Sequence, residues 1–244
     1  MREEHSSPAE MSEPARLVGI FWEPKPVFED LSRNPRFWTP LILLTLLSVL
    51  YSVTIARVIG WQEVVARQLE SNERIEQLPA EQRERIIEQS LKLTVPLGYA
   101  GAILGTAISA LVIAAVVLGM ANLFAGAALT FKQAFSLTCY SMLPMGLAAI
   151  LSMVVLFLKD PADFDIQRPL PLNLGIIPGV ADTPAGWRTM AESIDLFSIW
   201  VIVLLAIGAS AASRRLSFAK ALVLILVPWF AVVLIRSALA GLSG

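Results

Sequence analysis

Residues 93–158 read LTVPLGYAGAILGTAISALVIAAVVLGMANLFAGAALTFKQAFSLTCYSMLPMGLAAILSMVVLFL, and the only charged side chain among these 66 is Lys132. A water-soluble domain carries roughly 25% charged residues, so this stretch belongs in hydrocarbon. One bilayer crossing takes about 20 apolar residues, so the stretch is too long for one span. It reads as two transmembrane helices joined by a tight turn that holds Lys132.

The rest of the chain agrees with that solvent. Of 244 residues, 56% are hydrophobic and 16% charged, and the mean hydropathy is +0.67. A net charge of −1 offers no basic field for nucleic acid. Cys139 is the single cysteine, so no disulfide forms within the chain. Glu3, Glu4, Glu10 and Glu13 crowd the start, and the first apolar run begins near Phe37 and is long enough to span. A signal peptide is therefore not expected.

The expected fold class is all-α: a polytopic membrane protein with a five-transmembrane-helix bundle and an external helical hairpin. The spans fall at about residues 37–59, 96–124, 134–158, 194–213 and 218–239, within a membrane domain of 37–240. Short loops rich in Lys and Arg stay in the cytoplasm. Arg33 and Arg36 precede the first span, Lys132 stands alone in one short loop, and Arg214, Arg215 and Lys220 fill the other. With five spans these lie on one side, which makes the N-terminus cytoplasmic and the C-terminus external.

Residues 1–36 form a cytoplasmic tail with short interfacial helices. Within it, residues 14–37 are broken by Pro24, Pro26 and Pro35, and Phe28 and Leu31 share one helical face. Such helices lie on the membrane surface or pack onto the bundle as a leader. Residues 60–95 are an external helical loop: Trp61, Val64, Val65 and Leu69 keep helical spacing, and Pro79 opens a second arm carrying Ile86, Ile87 and Leu91. Residues 159–193 are an external Pro/Gly-rich loop, with Pro161, Pro169, Pro171, Pro178 and Pro184 too frequent for a long helix. Ser193 is expected to cap the fourth span, with Asp195 in its first turn.

Inside the spans, Gly101, Gly105 and Ser109 form a four-residue ladder of small side chains. It serves close packing within the chain or a seam between two copies. Thr130 with Gln133 fits a capping box. The pattern of hydroxyl, aromatic and base recurs from Ser217 to Lys220, and each following helix carries a proline, Pro144 or Pro228. Spans two–three and four–five thus read as related hairpins. Ser136, Thr138, Cys139, Tyr140 and Ser141 make the third span polar ahead of Pro144, either to satisfy backbone groups that the proline frees or to line a polar pocket.

The usual chemistry for catalysis is missing; what stays open is a Ser-Lys dyad at Lys132 or Lys220, where anchoring at the interface is the ordinary role, or an intramembrane enzyme with polar side chains converging at one depth. His5 is the only histidine and lies in a tail expected to be disordered, which removes His-based triads and metal clusters; one cysteine removes thiolate zinc sites. No span carries a central Asp or Glu, the usual mark of an ion pathway. No catalytic, cofactor-binding or metal-binding residue is assigned, and no cofactor is expected.

Three groups of residues carry a resemblance: Arg16-Leu17-Val18-Gly19-Ile20-Phe21 followed by residues 24–31; residues 130–144; and Ser193-Ile194-Asp195-Leu196-Phe197-Ser198-Ile199-Trp200 leading to Ser217-Phe218-Ala219-Lys220-Ala221. In this order they resemble the prokaryotic branch of the Yip (Ypt-interacting protein, Yip-one domain) family, over roughly residues 14–239. The resemblance implies five spans and a cytoplasmic N-terminus. Eukaryotic members bind prenylated Rab GTPases in traffic between endoplasmic reticulum and Golgi. The Asp-Leu-Tyr-Gly-Pro segment typical of their N-terminal region is absent here, and a bacterial source lacks the Rab cycle.

The expected function is that of a non-enzymatic scaffold or adaptor in the bacterial plasma (inner) membrane. Its partners are the bilayer and a membrane protein or a second copy of itself. Arg33, Arg36, Arg214 and Arg215 are the candidates for binding anionic lipid or an acidic partner, beside their plain role as topology signals. Gly101, Gly105, Ser109, Pro144 and Pro228 are the helix-packing candidates. The alternative is a small-solute or lipid transporter, with Pro144 and Pro228 bending helices around a midplane site.

Overall fold

A computed structural model describes residues 10–70 and 78–243. Their regular structure is helical, with one isolated bridge between Asn173 and Asp195. The helices are α1 (Glu13–Trp22), α2 (Pro24–Arg33), α3 (Trp38–Val58), α4 (Trp61–Glu70), α5 (Ala80–Ala125), α6 (Phe131–Ser141), α7 (Leu143–Leu158), α8 (Ala185–Ser193), α9 (Leu196–Ala212) and α10 (Phe218–Ser243). His5 and the tip of the 60–95 loop lie outside the described residues.

Among the described residues, four stretches are long and apolar enough to cross a membrane: Trp38–Val58, Ala80–Ala125, Phe131–Leu158 and Phe218–Leu242. The fourth of the five expected spans is different. It is the 17-residue α9, bounded by an Asp195 cap and by Ser213 in extended backbone. The second span is also revised. The helix does not begin at Pro96 but runs unbroken for 46 residues through it. At 1.5 Å per residue that is about 70 Å, more than twice the roughly 30 Å of hydrocarbon. The arm opened at Pro79 and the second span are therefore one helix.

The chain divides into two compact units. The first comprises Met1–Ile42, Ala110–Met145 and Leu172–Gly244. Glu23 precedes a proline, which disfavours helical backbone; it sits at φ −135°, ψ 67° and separates α1 from α2. Pro24 then starts α2, where a missing N–H costs nothing. Val27, Phe28 and Leu31 of α2 are fully buried against α9 and α6. Phe28 lies over Gly208 of α9, where an added Cβ would come within 3.1 Å of its ring. Phe21 meets Trp200 edge to face at 5.6 Å. The buried face of the leader is thus packed on protein. Trp22 and Val18 remain exposed.

The Pro/Gly-rich loop is less irregular than expected. Its α8 packs on α10, and Gly186 comes so close that a Cβ would stand 2.8 Å from the Ser237 carbonyl oxygen. Ser193 closes α8, donating to the Thr189 carbonyl. Asp195, not Ser193, caps α9 by accepting from the backbone N–H groups of Phe197 and Ser198.

The second unit comprises Leu43–Ser109 and Gly146–Pro171. Gly146 lets α7 approach Leu44 and Leu47 of α3. Ile55, Leu156 and Phe164 form a buried cluster. Arg67 of α4 donates to the carbonyls of Pro161 and Phe164, each at 3.1 Å, and pairs with Glu63 at 2.8 Å. Trp61 lies where a side chain on Gly98 would be, within 2.4 Å of an ideal Cβ.

Candidate functional site

Arg16 is on the inward face of α1, one helical turn before Ile20, and both are fully buried. A buried guanidinium is costly unless carboxylates and hydrogen bonds surround it. Three carboxylates do. Glu13, one turn earlier, accepts from Nη1 at 2.7 Å. Asp30 on α2 accepts from Nε at 2.8 Å and stands 2.6 Å from Nη2. Glu10 lies 3.2 Å from Nη2 and also pairs with Arg36 at 2.8 Å. Asp30 occupies the same α2 face as Val27 and Leu31, so each amphipathic helix carries one charge on its apolar side and the two charges meet.

The stretch Phe131–Leu158, one of those long and apolar enough to cross a membrane, completes this clamp. Tyr140 of α6 donates its hydroxyl to Oε2 of Glu13 at 2.6 Å. Gln133 donates its side-chain amide to the Ser32 carbonyl at 2.7 Å, and Ser136 donates to the Arg36 carbonyl. Burial by itself would raise the Glu13 carboxyl, but hydrogen bonds from Tyr140, Thr39 and Arg16 and the Arg16 charge outweigh it and hold its pKa below the usual carboxylate range. Burial would likewise lower Arg16, and Asp30 with Glu13 reverses that, so its pKa is raised.

The polar run of the third span therefore has a use that neither sequence reading gave. Ser136 and Tyr140 bind the leader. Thr138 returns its hydroxyl to the Ala134 carbonyl, four residues back. The hydroxyls do not repair the break at Pro144: Met142 N–H donates to the Thr138 and Tyr140 carbonyls, and the buried Ser141 hydroxyl has no partner among the described residues. The expected capping box is present. Thr130 accepts from the Gln133 backbone, and Gln133 accepts in return from the Thr130 N–H. Ser217 accepts from the Lys220 N–H in the same register at 3.4 Å. The two prolines then differ, because Pro144 starts α7 after a break while Pro228 sits inside an unbroken α10.

The four candidate arginines separate. Arg36 is engaged by Glu10. Arg215 donates to the Gly126 carbonyl at 3.1 Å, closing the turn after α5, where Gly126 has φ +58°. Arg33 and Arg214 come together instead, lining one open groove of about 760 Å³ with Lys25, Glu29, Ser32 and Ser217. Among the packing candidates, Pro144 is buried and Pro228 borders an apolar cleft of about 300 Å³ between α5, α9 and α10. Among the described residues, no atom outside their own helix backbone lies within 4 Å of a Cβ added at Gly101 or Gly105, and Ser109 is exposed. Other small residues of α5 do pack: Ala110 and Ala114 are fully buried against Ala134, Phe135 and Cys139, and Ala121 is buried in a second cluster with residues of α9 and α10.

Sequence reasoning missed Arg16, Glu13, Asp30 and Tyr140. The available signal was local: a charge at the centre of the apolar stripe on each of two short helices, which calls for a partner of opposite sign.

With this geometry in place, the chain can be compared with known proteins. The family model described as the Yip1 domain matches residues 18–239. The chain is similar to the membrane protein YknW of Bacillus subtilis (strain 168), 26% identical over 234 residues, which cover 95% of this chain and 92% of that protein. No solved structure matches.

Proposed function

Because the chain belongs to the Yip1 domain family of membrane proteins, we propose that it is a non-enzymatic integral membrane adaptor that presents a preformed cytoplasmic face to lipid or protein partners. Five spans, α3, α5, α6–α7, α9 and α10, support this face. At 1.5 Å per residue, the 17 residues of α9 cover about 25 Å, near the lower limit for a crossing. With five crossings, the basic residues around Arg33, Lys132 and Arg214 share one side, the cytoplasm of a bacterial cell.

One observation carries the reading: the Arg16 clamp fixes α1 and α2 on the membrane-spanning helices. A tail used only for topology needs no such fixture. A docking face does, because ordering it beforehand removes that entropy cost from binding. The test is purification of the full chain from native membranes after mild crosslinking, with identification of co-purifying proteins and lipids. A specific partner or an enriched lipid is expected, reduced when Arg16→Gln loosens the leader. Recovery of the chain alone, with the lipid composition of the whole membrane, would overturn the reading.

A lipid transporter is the second reading, supported by the cleft beside Pro228, whose lining has Ser198 as its single polar member. Such walls suit a hydrocarbon chain and not a polar solute. Phospholipid transfer between leaflets of reconstituted vesicles, abolished by Val201→Trp, is the outcome expected of a transporter.

A further inference from the structure

The groove that unites Arg33 and Arg214 has two walls of different origin. One is the outward face of α2: Lys25, Glu29, Ser32 and Arg33 follow the spacing i, i+4, i+7 and i+8, opposite the buried stripe of Val27 and Leu31. The other is the end of α9 and the turn into α10, with Ser210, Arg214, Leu216, Ser217 and Phe218. Three cations face one carboxylate, an excess of two positive charges. Glu29 only grazes Lys25, at 3.9 Å between exposed side chains. Arg33 and Arg214 have no carboxylate partner among the described residues. Two unpaired guanidiniums beside serine hydroxyls form a donor set suited to phosphate oxygens.

The position of the groove says where that phosphate comes from. Arg214 follows directly on apolar α9, and Phe218 is the first residue of α10, a helix long and apolar enough to span. The groove therefore lies at the depth where hydrocarbon gives way to head groups. From it, α10 leads away with Val223, Val227, Phe230 and Leu234 exposed at helical spacing, an apolar stripe against which acyl chains can lie.

We infer that Lys25, Arg33 and Arg214 form a binding site for the phosphate of an anionic phospholipid. This inference deepens the adaptor reading and rests on it for the groove facing the cytoplasmic leaflet. The clamp contributes by holding α2, and with it Lys25 and Arg33, opposite Arg214. The site is distinct from the clamp, whose charges are already paired with one another.

The test uses full-length protein in detergent, stripped of lipid and given equal amounts of dioleoyl phosphatidylglycerol and dioleoyl phosphatidylcholine, read by native mass spectrometry. The wild-type chain is expected to retain the anionic phosphatidylglycerol selectively. Removing two charges from a phosphate site, in R33Q/R214Q, should cut that retention by about tenfold or more. R83Q/R85Q, which removes two exposed charges from α5 instead, should retain it unchanged. Equal melting temperatures confirm that both variants are folded. Retention by R33Q/R214Q within twofold of wild type would overturn the site, as would an equal loss in R83Q/R85Q. Displacement of the lipid by an equal concentration of inorganic phosphate would show a free-phosphate site and overturn the lipid assignment. Failure here leaves the adaptor reading standing wherever a protein partner still co-purifies with R33Q/R214Q.

Discussion

Tyr140 donates its hydroxyl to the Glu13 carboxylate at 2.6 Å across 127 positions of sequence. The other carboxylate oxygen of Glu13 holds Arg16. One acidic side chain thereby joins α1 to α6 and, through Arg16, to Asp30 of α2.

The first prediction concerns the order of losses in this clamp. Tyr140→Phe removes a single hydrogen bond to a charged acceptor, about 1.5–3 kcal/mol. Arg16→Gln removes the cation and leaves Asp30, Glu13 and Glu10 facing one another, which should cost about 3 kcal/mol or more. Thermal melts in detergent should rank wild type above Tyr140→Phe above Arg16→Gln. A double-mutant cycle of Arg16 with Asp30 should show strong coupling, because each variant strips the other's partner.

Acid should open the clamp. The Glu13 pKa is lowered in the folded chain, so its contribution is fully present above the unfolded carboxylate value and is lost as pH falls through the lower folded value. Arg16 and Tyr140 contact it directly, Asp30 and Glu10 share Arg16 with it, and Arg36 pairs with Glu10. Loosening of the leader, read by the fluorescence of Trp200 beside Phe21, should therefore be absent at neutral pH and appear only as pH falls below the ordinary carboxylate range. The same fluorescence change across that range in wild type and Glu13→Gln would show that Glu13 does not control the leader.

How far the fold was legible follows from how far each determinant reaches. The spans around residues 93–158 were readable because hydrocarbon sets a composition rule that every residue of the stretch but Lys132 obeys. The Thr130 cap was readable because its partner is three residues away. The start of the second span near Pro96 followed the beginning of the apolar run, and composition marks the edge of the hydrocarbon, not the start of a helix: α5 runs through Pro96 from Ala80. The clamp was hidden because its partners are 14 and 127 positions apart. Arg33 and Arg214 could be chosen as basic residues near span ends, but only packing of α2 on α9 brings them to one groove.

Glycine substitutions should separate packing from permissiveness. At Gly98 an added methyl meets the Trp61 indole at 2.4 Å, so Gly98→Ala must displace the ring and should cost about 1–3 kcal/mol. At Gly101 nothing lies within 4 Å, and alanine gains up to about 1 kcal/mol of helix propensity. Gly101→Ala should leave the monomer's melting temperature unchanged or raise it. A fall confined to Gly101→Ala and Gly105→Ala, with loss of a dimer on size-exclusion chromatography, would place a second copy on that face.

Cysteine labelling should decide whether α9 crosses the bilayer. Cys139 is fully buried, so an introduced cysteine reports alone. Asp182 lies before α8 and Lys220 in the first turn of α10, and both are exposed. If α9 spans, the two positions are on opposite sides, because one crossing separates them. Asp182→Cys should then react with a membrane-impermeant maleimide in intact cells, while Lys220→Cys reacts only after lysis. Reaction of both from outside would leave α9 on one side and four crossings in the chain. The C-terminus would then share the N-terminal side, and α9, with eight buried residues among its 17, would be a buried helix that helps hold the leader.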